Sequence, residues 1–293
     1  MYTFEHVTTD QPGLGRVLAL LKYVWGEKHV FNTDYLRWLY RDNPAGEVVG
    51  FNAVHEGQVV AHYVTIPIQV EIDGGVQRGL LSLNTVTHPA HQGKKLFTRL
   101  AEQTYRHGAE QGHGFVIGVS NRNSTPGMTK SLGFDLVCQL EARLGVPPPR
   151  FRSQEPATSV RFRRMWDDAS LAWRLQPPGR PYQASRCART GGHFILARSG
   201  YPGIKAAIGY LPGDIAVAAV EALPRSAPAL WAWIGLDPKI NWRRSAFLPI
   251  PDRLRPAPLN LIFRSLRADV PRLKADEIKL QGIDFDAYLG RGQ

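Results

Sequence analysis

Two turns constrain this chain most. Glu56-Gly57 and Asp73-Gly74 separate three long segments, 48–55, 58–72 and 76–87. In the middle one, apolar residues alternate with Ala61, Tyr63, Thr65 and Gln69. An acidic residue followed by Gly between alternating segments is a strong hairpin signal, so the spacing predicts an antiparallel three-strand meander. Helical patterns flank it. Residues 13–25 and 34–41 precede it, with Thr33 placed to cap the second, and 93–111 follow it, with Leu96, Leu100, Gln103 and Tyr105 at helical spacing. Next come a short buried strand at 115–119, a short helix at 126–132 stopped by Gly133, and a strand at 134–144.

At 293 residues with 43% hydrophobic and 21% charged side chains, the chain is globular and long enough for two domains. The pattern breaks at Val146-Pro147-Pro148-Pro149, and residues 147–159 read as a Pro-rich linker between domains at 1–146 and 160–293. Pro and Gly interrupt the second half. Strands are expected at 194–198, 205–211 and 260–266, and a helix at 167–175. Trp38 to Gly46 is echoed by Trp173 to Gly179, each an aromatic-ended helix followed by a Pro-Gly turn and strands. That suits a duplicated domain, with chance similarity as the plainer alternative.

Net charge is +11, from 27 Arg and nine Lys against 25 acidic residues. Arginine's planar fork suits phosphate and carboxylate, so the excess points to an anionic partner; a coding bias toward Arg is the competing explanation. Cys138 and Cys187 make no disulfide framework and no metal-ligand spacing. The start, Met1 to His6, lacks a basic and an apolar region of the secretory kind, and the longest apolar stretch, 215–223, is too short to span a bilayer. The expectation is a cytoplasmic protein without a metal or a membrane span, monomeric or homodimeric.

The most informative segment runs from Leu83 to Leu100. A strand enters a Pro-containing turn, and Gln92-Gly93-Lys94-Lys95 opens a long helix. The first turn of a helix presents unpaired N–H groups and partial positive charge, Gly93 lets backbone approach an anion, and the two lysines add formal charge. An ordinary turn with solvated lysines is the plainer reading.

With the order of elements, these residues resemble the GNAT superfamily of acyl-CoA N-acyltransferases. Gln92 and Gly93 match its glycine-containing pyrophosphate signature, while Lys95 and Phe97 stand where small residues are usual. A second segment, Ser120-Asn121-Arg-Asn123-Ser124 through Leu132-Gly133-Phe134, is similar to the family's later motif. The resemblance covers roughly residues 1–144 and is closest to enzymes encoded with surface-polysaccharide genes. Some of those are tandem GNAT-like proteins that acylate the amine of nucleotide-linked dideoxy sugars.

It implies an α/β (α+β) fold with a central mixed, mostly antiparallel sheet, followed by a second, degenerate GNAT-like domain. It also implies acetyl-CoA or another short acyl-CoA as cosubstrate, a nucleotide sugar as acceptor, and nucleic acid only as a minor alternative. The pantetheine arm would lie in a V between the third meander strand and 115–119. Backbone near Val86 and Thr87 would face the thioester, Gln92, Gly93, Lys94, Lys95, Leu96 and Phe97 would hold the pyrophosphate, and Asn121 and Ser124 would contact the lower cofactor.

The family's usual Glu base is missing, since Gly79 and Leu80 occupy its place, and no Tyr acid follows the Asn motif before Phe134. The remaining catalytic candidates are His62, Asn84 and His88. His62 would accept the ammonium proton and Asn84 would orient substrate or bind an oxyanion; a structural histidine is the plainer reading for His62 and His88. Trp38 and Tyr40 are candidates to stack on a sugar or base, or else core residues. Two weaker constellations are Arg161, Phe162, Arg163, Arg164 and Trp166, which suit a nucleotide or nucleic acid or a solvated face, and Asp284 with Asp286. The other readings of the whole are a GNAT enzyme acting on a protein or another amine, and an inactive basic binding module.

Overall fold

The computed structural model describes residues 1–27, 31–152, 160–213, 220–222, 229–255 and 258–285. In chain order these form β1 (Thr3–His6), α1 (Gln11–Trp25), α2 (Thr33–Tyr40), β2 (Val49–His55), β3 (Gln58–Ile72), β4 (Gly75–Thr87), α3 (Leu96–Glu110), β5 (Phe115–Ser120), β6 (Asp135–Gln139) and β7 (Glu141–Gly145). They continue with β8 (Phe162–Arg164), α4 (Asp168–Leu175), β9 (Gln183–Arg186), β10 (His193–Arg198), β11 (Ile204–Leu211), β12 (Glu221–Ala222), β13 (Leu230–Leu236), β14 (Phe247–Pro249), β15 (Asn260–Ser265) and β16 (Ile278–Gln281).

Two compact units share these elements. The first takes Met1–Gln69, Gln77–Leu136 and Leu261–Arg272; the second takes Val70–Val76, Val137–Asn260 and Leu273–Gln293. Sequence had placed a linker at 147–159. Residues 147–152 instead lie inside the second unit, and 153–159 are outside the described residues. Each unit also draws a segment from the opposite half of the chain, which no local compositional break signals.

The expected meander is present, its Glu56-Gly57 turn in the first unit and its Asp73-Gly74 turn in the second. Both turns are tight because both central residues adopt positive φ, 51° and 76° at Glu56 and Gly57, 52° and 80° at Asp73 and Gly74. That is the mirror-image turn whose twist matches paired strands. Asp10 caps α1 by accepting the Gly13 N–H at 3.0 Å. Asn32, not Thr33, caps α2, accepting the Tyr35 N–H at 2.8 Å, and Thr33 is the first helical residue. Helix α3 begins at Leu96 rather than Gly93, because Lys95 is left-handed (φ 57°). Its apolar face joins Tyr63, Leu80, Val116, Phe134 and Ile262 in one core, Ile262 coming from β15. The short helix shrinks to one wide turn, Gly127–Ser131.

The strand expected at 134–144 is two strands, broken at buried Leu140, whose N–H goes to the Leu259 carbonyl at 2.8 Å. In the second unit β7 pairs with β13 and β14. There α4, capped by Asp167 in a reciprocal bond with Ser170, leads through Pro177–Gly179 into antiparallel β9, β10 and β11, and β13 lies parallel to β11. This repeats the first unit's order of α2, antiparallel β2–β3–β4 and a parallel β5. The second half of the sequence concealed β13, Leu-Trp-Ala-Trp-Ile-Gly-Leu, because a strand buried along most of its length shows no alternation.

Candidate functional site

The site elements lie in the first unit. Strands β4 and β5 pair in parallel at Leu80–Val116, Leu81–Ile117 and Ser82–Gly118. Beyond Ser82 they pair no further among the described residues, although β4 continues to Thr87 and β5 to Ser120. Two parallel strands that stop pairing leave backbone N–H and C=O groups along an open edge. Asn84 marks the separation with φ 48°, a left-handed residue within a strand, which bends β4 locally. Val86 is buried while Ser82 to Thr85 and Thr87 are only partly covered.

Past β4 the chain makes one helical turn, Pro89–His91, and then the glycine loop. Gly93 has φ 74°, and a Cβ built there meets nothing within 4 Å. The loop surface over this backbone is therefore open. No side chain caps α3, and its first backbone bond runs from the Arg99 N–H to the Lys95 carbonyl at 3.1 Å. The N–H groups of Leu96, Phe97 and Thr98 stand ahead of that bond at the positive end of the helix. Gln92, Lys94 and Lys95 are exposed, Leu96 is buried in the core, and Phe97 packs on the Tyr63 ring. The loop is tied back where Tyr2 bonds His91 at 2.8 Å and Lys94 lies 5.6 Å from the Tyr2 ring. Burial and the nearby Lys94 hold His91 below the usual histidine range. An anion the size of a pyrophosphate fits this chemistry.

The catalytic candidates read differently in three dimensions. Buried His62 opposes Asn52 across the β2–β3 ladder. Its Nδ1–H donates to Asn52 Oδ1 at 2.7 Å, and Nε2 accepts the Tyr40 hydroxyl proton at 3.1 Å. Burial drops His62 to a pKa of about 3. It is neutral at physiological pH with both nitrogens engaged, so it is not the base sequence reasoning proposed. His88 stacks on Tyr23 and its Nδ1 accepts the Ala90 N–H at 3.2 Å. That nitrogen thus helps shape the turn that leads into the glycine loop.

Asn84 remains. Its Nδ2 donates to Tyr40 Oη at 3.0 Å, and among the described residues its Oδ1 takes part in no hydrogen bond. The chain Asn84–Tyr40–His62–Asn52 thus fixes a partly buried amide beside the strand separation. Replacing Asn84 with Gly keeps the left-handed backbone without strain and deletes the amide. The expected result is a melting temperature within a few degrees of the parent, an unchanged KM for acyl-CoA, and a turnover at least about tenfold lower.

Trp38 and Tyr40 do not face substrate. They are 6% and 0% exposed, and Trp38 packs on Tyr35 in the α2 core. Asn121 and Ser124 bond each other: the Asn121 N–H goes to Ser124 Oγ at 3.1 Å and the Ser124 N–H to Asn121 Oδ1 at 3.0 Å. Their polar atoms cap the turn that follows. The missing Glu has a packing reason, since a Cβ on Gly79 falls 2.1 Å from the Phe115 ring.

Sequence reasoning missed Asn52 and a hydroxyl chain. Ser82 Oγ, at the last paired position of β4, bonds Tyr63 Oη at 2.9 Å, and Tyr63 bonds Tyr105. Burial pushes Tyr63 up to about 12, so it stays protonated. The arginine stretch is consumed structurally within the second unit. Arg161 pairs with Asp73 and Glu277, Arg163 with Glu71, and Arg164 stacks on Trp166. Phe162 is 1% exposed, so this stretch is not an open binding face. Asp284 is buried and accepts from Trp166 and the Gln281 N–H, and Asp286 lies outside the described residues. Among the described residues, no His, Cys, Asp and Glu group has metal-holding geometry, and no helix is long and apolar enough to cross a membrane.

Comparison with known proteins agrees with this geometry. The sequence model of the Acetyltransferase (GNAT) domain matches residues 9–137. No curated relative matches the chain by sequence. A probable N-acyltransferase from Enterococcus faecalis V583 is structurally similar, with a TM-score of 0.59, 11% identity, and coverage of 91% of this chain and 73% of that one. A GCN5-related N-acetyltransferase from Kribbella flavida gives 0.57 and 11%, covering 90% and 71%. Saccharomyces cerevisiae N-myristoyltransferase with bound myristoyl-CoA gives 0.51 and 10%, covering 72% and 66%. Residues 9–137 thus match a GNAT domain, and the chain has a mixed α/β fold with a large mixed sheet like that of these structural neighbours. The fold likeness extends well beyond the matched domain. Domain and fold together support an acyl-CoA-dependent transferase, with acyl-CoA as cosubstrate.

Proposed function

We propose that the protein moves an acyl group from acyl-CoA to the amine of a nucleotide-linked amino sugar, with the reaction centred on the first unit. The observation that carries this reading is the separation of β4 and β5 after Ser82 and Gly118, followed in sequence by the open Gly93–Lys95 loop at the start of α3. The pyrophosphate sits on the loop N–H groups and near Lys94 and Lys95. The pantetheine arm takes hydrogen bonds from the open edge of β4, as a strand would. Asn84 Oδ1 accepts one amine N–H and aims the nitrogen lone pair at the thioester carbon.

With His62 neutral and His88 Nδ1 accepting the Ala90 N–H, the amine loses its proton to solvent. The rate therefore follows the amine's own pKa, which favours a weakly basic amino sugar over a lysine or polyamine. As the tetrahedral intermediate collapses, the proton that the amine nitrogen releases passes through water to the leaving thiolate. The +11 charge also disfavours a polycationic acceptor. The second unit, which repeats the first unit's strand order, is read as a GNAT-like domain whose sequence has no Gly-Lys pair like Gly93-Lys94.

The test is an acyl-transfer assay on the intact chain with acetyl-CoA, offering a nucleotide-linked amino sugar, the same sugar without its nucleotide, and a lysine peptide. The expected order of kcat/KM is nucleotide sugar far above free sugar, with the peptide inert. Equal rates for free and nucleotide-linked sugar overturn the acceptor assignment, and acetylation of the peptide alone moves the activity to a protein substrate.

A further inference from the structure

Of the arginines that sequence singled out, Arg161 and Arg163 are held in ion pairs and Arg164 against Trp166, whereas a second group in the same unit gathers around an opening. Arg143 on β7, Arg152, Asn241, Trp242, Arg243 and Arg244 line a cavity of about 630 Å³. Its walls are fixed by backbone bonds. The Asn241 N–H reaches the Arg150 carbonyl at 2.7 Å, the Arg152 N–H reaches the Lys239 carbonyl at 2.8 Å, and Arg152 Nε donates to the Pro238 carbonyl at 3.0 Å. Trp242 is wedged against Trp233 and Phe247, and the Arg143 guanidinium lies 4.9 Å from its ring.

The charge balance of this cavity is lopsided. Arg143 has Glu141 at 3.2 Å. Among the described residues Arg152, Arg243 and Arg244 have no carboxylate within the 4.0 Å of an ion pair. Four guanidiniums around one opening repel one another, and a compact ligand with several negative charges relieves that repulsion through charge-assisted, bidentate bonds. The volume exceeds what one phosphate needs and falls in the range of small-molecule sites. Trp242 and Asn241 add a ring and an amide, the groups that hold a planar base.

From this convergence we infer that the second unit holds a binding site for a nucleoside diphosphate, its diphosphate on Arg152, Arg243 and Arg244 and its base beside Trp242 and Asn241. The site stands on the second unit alone and does not depend on the acyl-transfer reading.

The experiment is calorimetric titration of the intact chain with UDP, inorganic pyrophosphate and uridine. UDP binds at one site per chain, pyrophosphate binds more weakly, and uridine binds least. Substituting both exposed arginines, R243A together with R244A, weakens UDP at least about tenfold with an unchanged circular dichroism spectrum. Gly93→Asp, which acts on the other anion site, leaves UDP affinity unchanged. Absence of UDP binding at millimolar concentration, equal binding by the double variant, or loss of UDP binding in Gly93→Asp overturns the site. Pyrophosphate binding as tight as UDP overturns its assignment to a nucleotide. Binding of a random DNA duplex that UDP does not displace, weakened by the same double substitution, reassigns the arginines to nucleic acid.

Discussion

Gly93→Asp is expected to weaken acyl-CoA binding by about 100-fold or more, roughly 2.7 kcal/mol, while leaving the fold intact. The loop backbone is positive because unpaired N–H groups and Lys94 and Lys95 converge there, and a carboxylate at Gly93 meets the pyrophosphate with like charge at close range. Folding tolerates the change. A Cβ meets nothing within 4 Å, and the left-handed φ of 74° costs an Asp side chain about 1 kcal/mol. Gly93→Asn separates charge from shape, since it carries the same strain and volume without the charge and should lose less than about tenfold. Calorimetry of both variants reads this directly. Equal losses would make the effect steric, and retained affinity in Gly93→Asp would mean the pyrophosphate binds elsewhere.

Acid is expected to destabilise the first unit through His62. The folded protein holds this ring at about 3, against an ordinary 6.5. Between those values the unfolded chain binds a proton that the folded one refuses, so stability falls as pH falls from 6.5 toward 3. The slope from this group approaches about 1.4 kcal/mol per pH unit well below pH 6.5, or roughly 2 kcal/mol between pH 6.5 and 4.5. His113, held at about 4 by burial, contributes with the same sign. His62→Gln removes the titrating ring and part of the Tyr40–His62–Asn52 bonding. It should be less stable at pH 7 yet lose much less on acidification. Urea midpoints at pH 7 and 4.5 measure both effects. A parallel loss in parent and variant would show that His62 is protonated in the folded state and restore it as a base.

Much of the meander and of α3 was legible because the signals are local. Glu56-Gly57 and Asp73-Gly74 fixed two hairpins, and helix α3 announced itself by apolar spacing. The Asn52–His62 pair was hidden by one residue. A regular hairpin closed by Glu56-Gly57 sets Asn52 against Ala61, but an irregularity at Ala53 and Val54 shifts the register and brings His62 opposite instead. That shift turned a plausible base into a buried, neutral ring.

For Tyr40 the core alternative holds, and for a related reason sequence could not decide it. Its place at the end of α2 is visible in sequence, whereas the covering strands are not. The arginines show the same limit. Clustered Arg161, Arg163 and Arg164 drew attention, yet acids at Glu71, Asp73 and Glu277, far away in the chain, pair with the first two, and Arg164 stacks on Trp166. The arginines without an acidic partner among the described residues, Arg152, Arg243 and Arg244, are separated by ninety residues or more apart from the adjacent pair, and only the fold gathers them.

The most direct test of the central claim is titration of acetyl-CoA into the intact chain. One binding site per chain is predicted, competed by free coenzyme A and lost in Gly93→Asp. Failure to bind acetyl-, propionyl- or butyryl-CoA by a chain whose circular dichroism shows it folded would contradict the account.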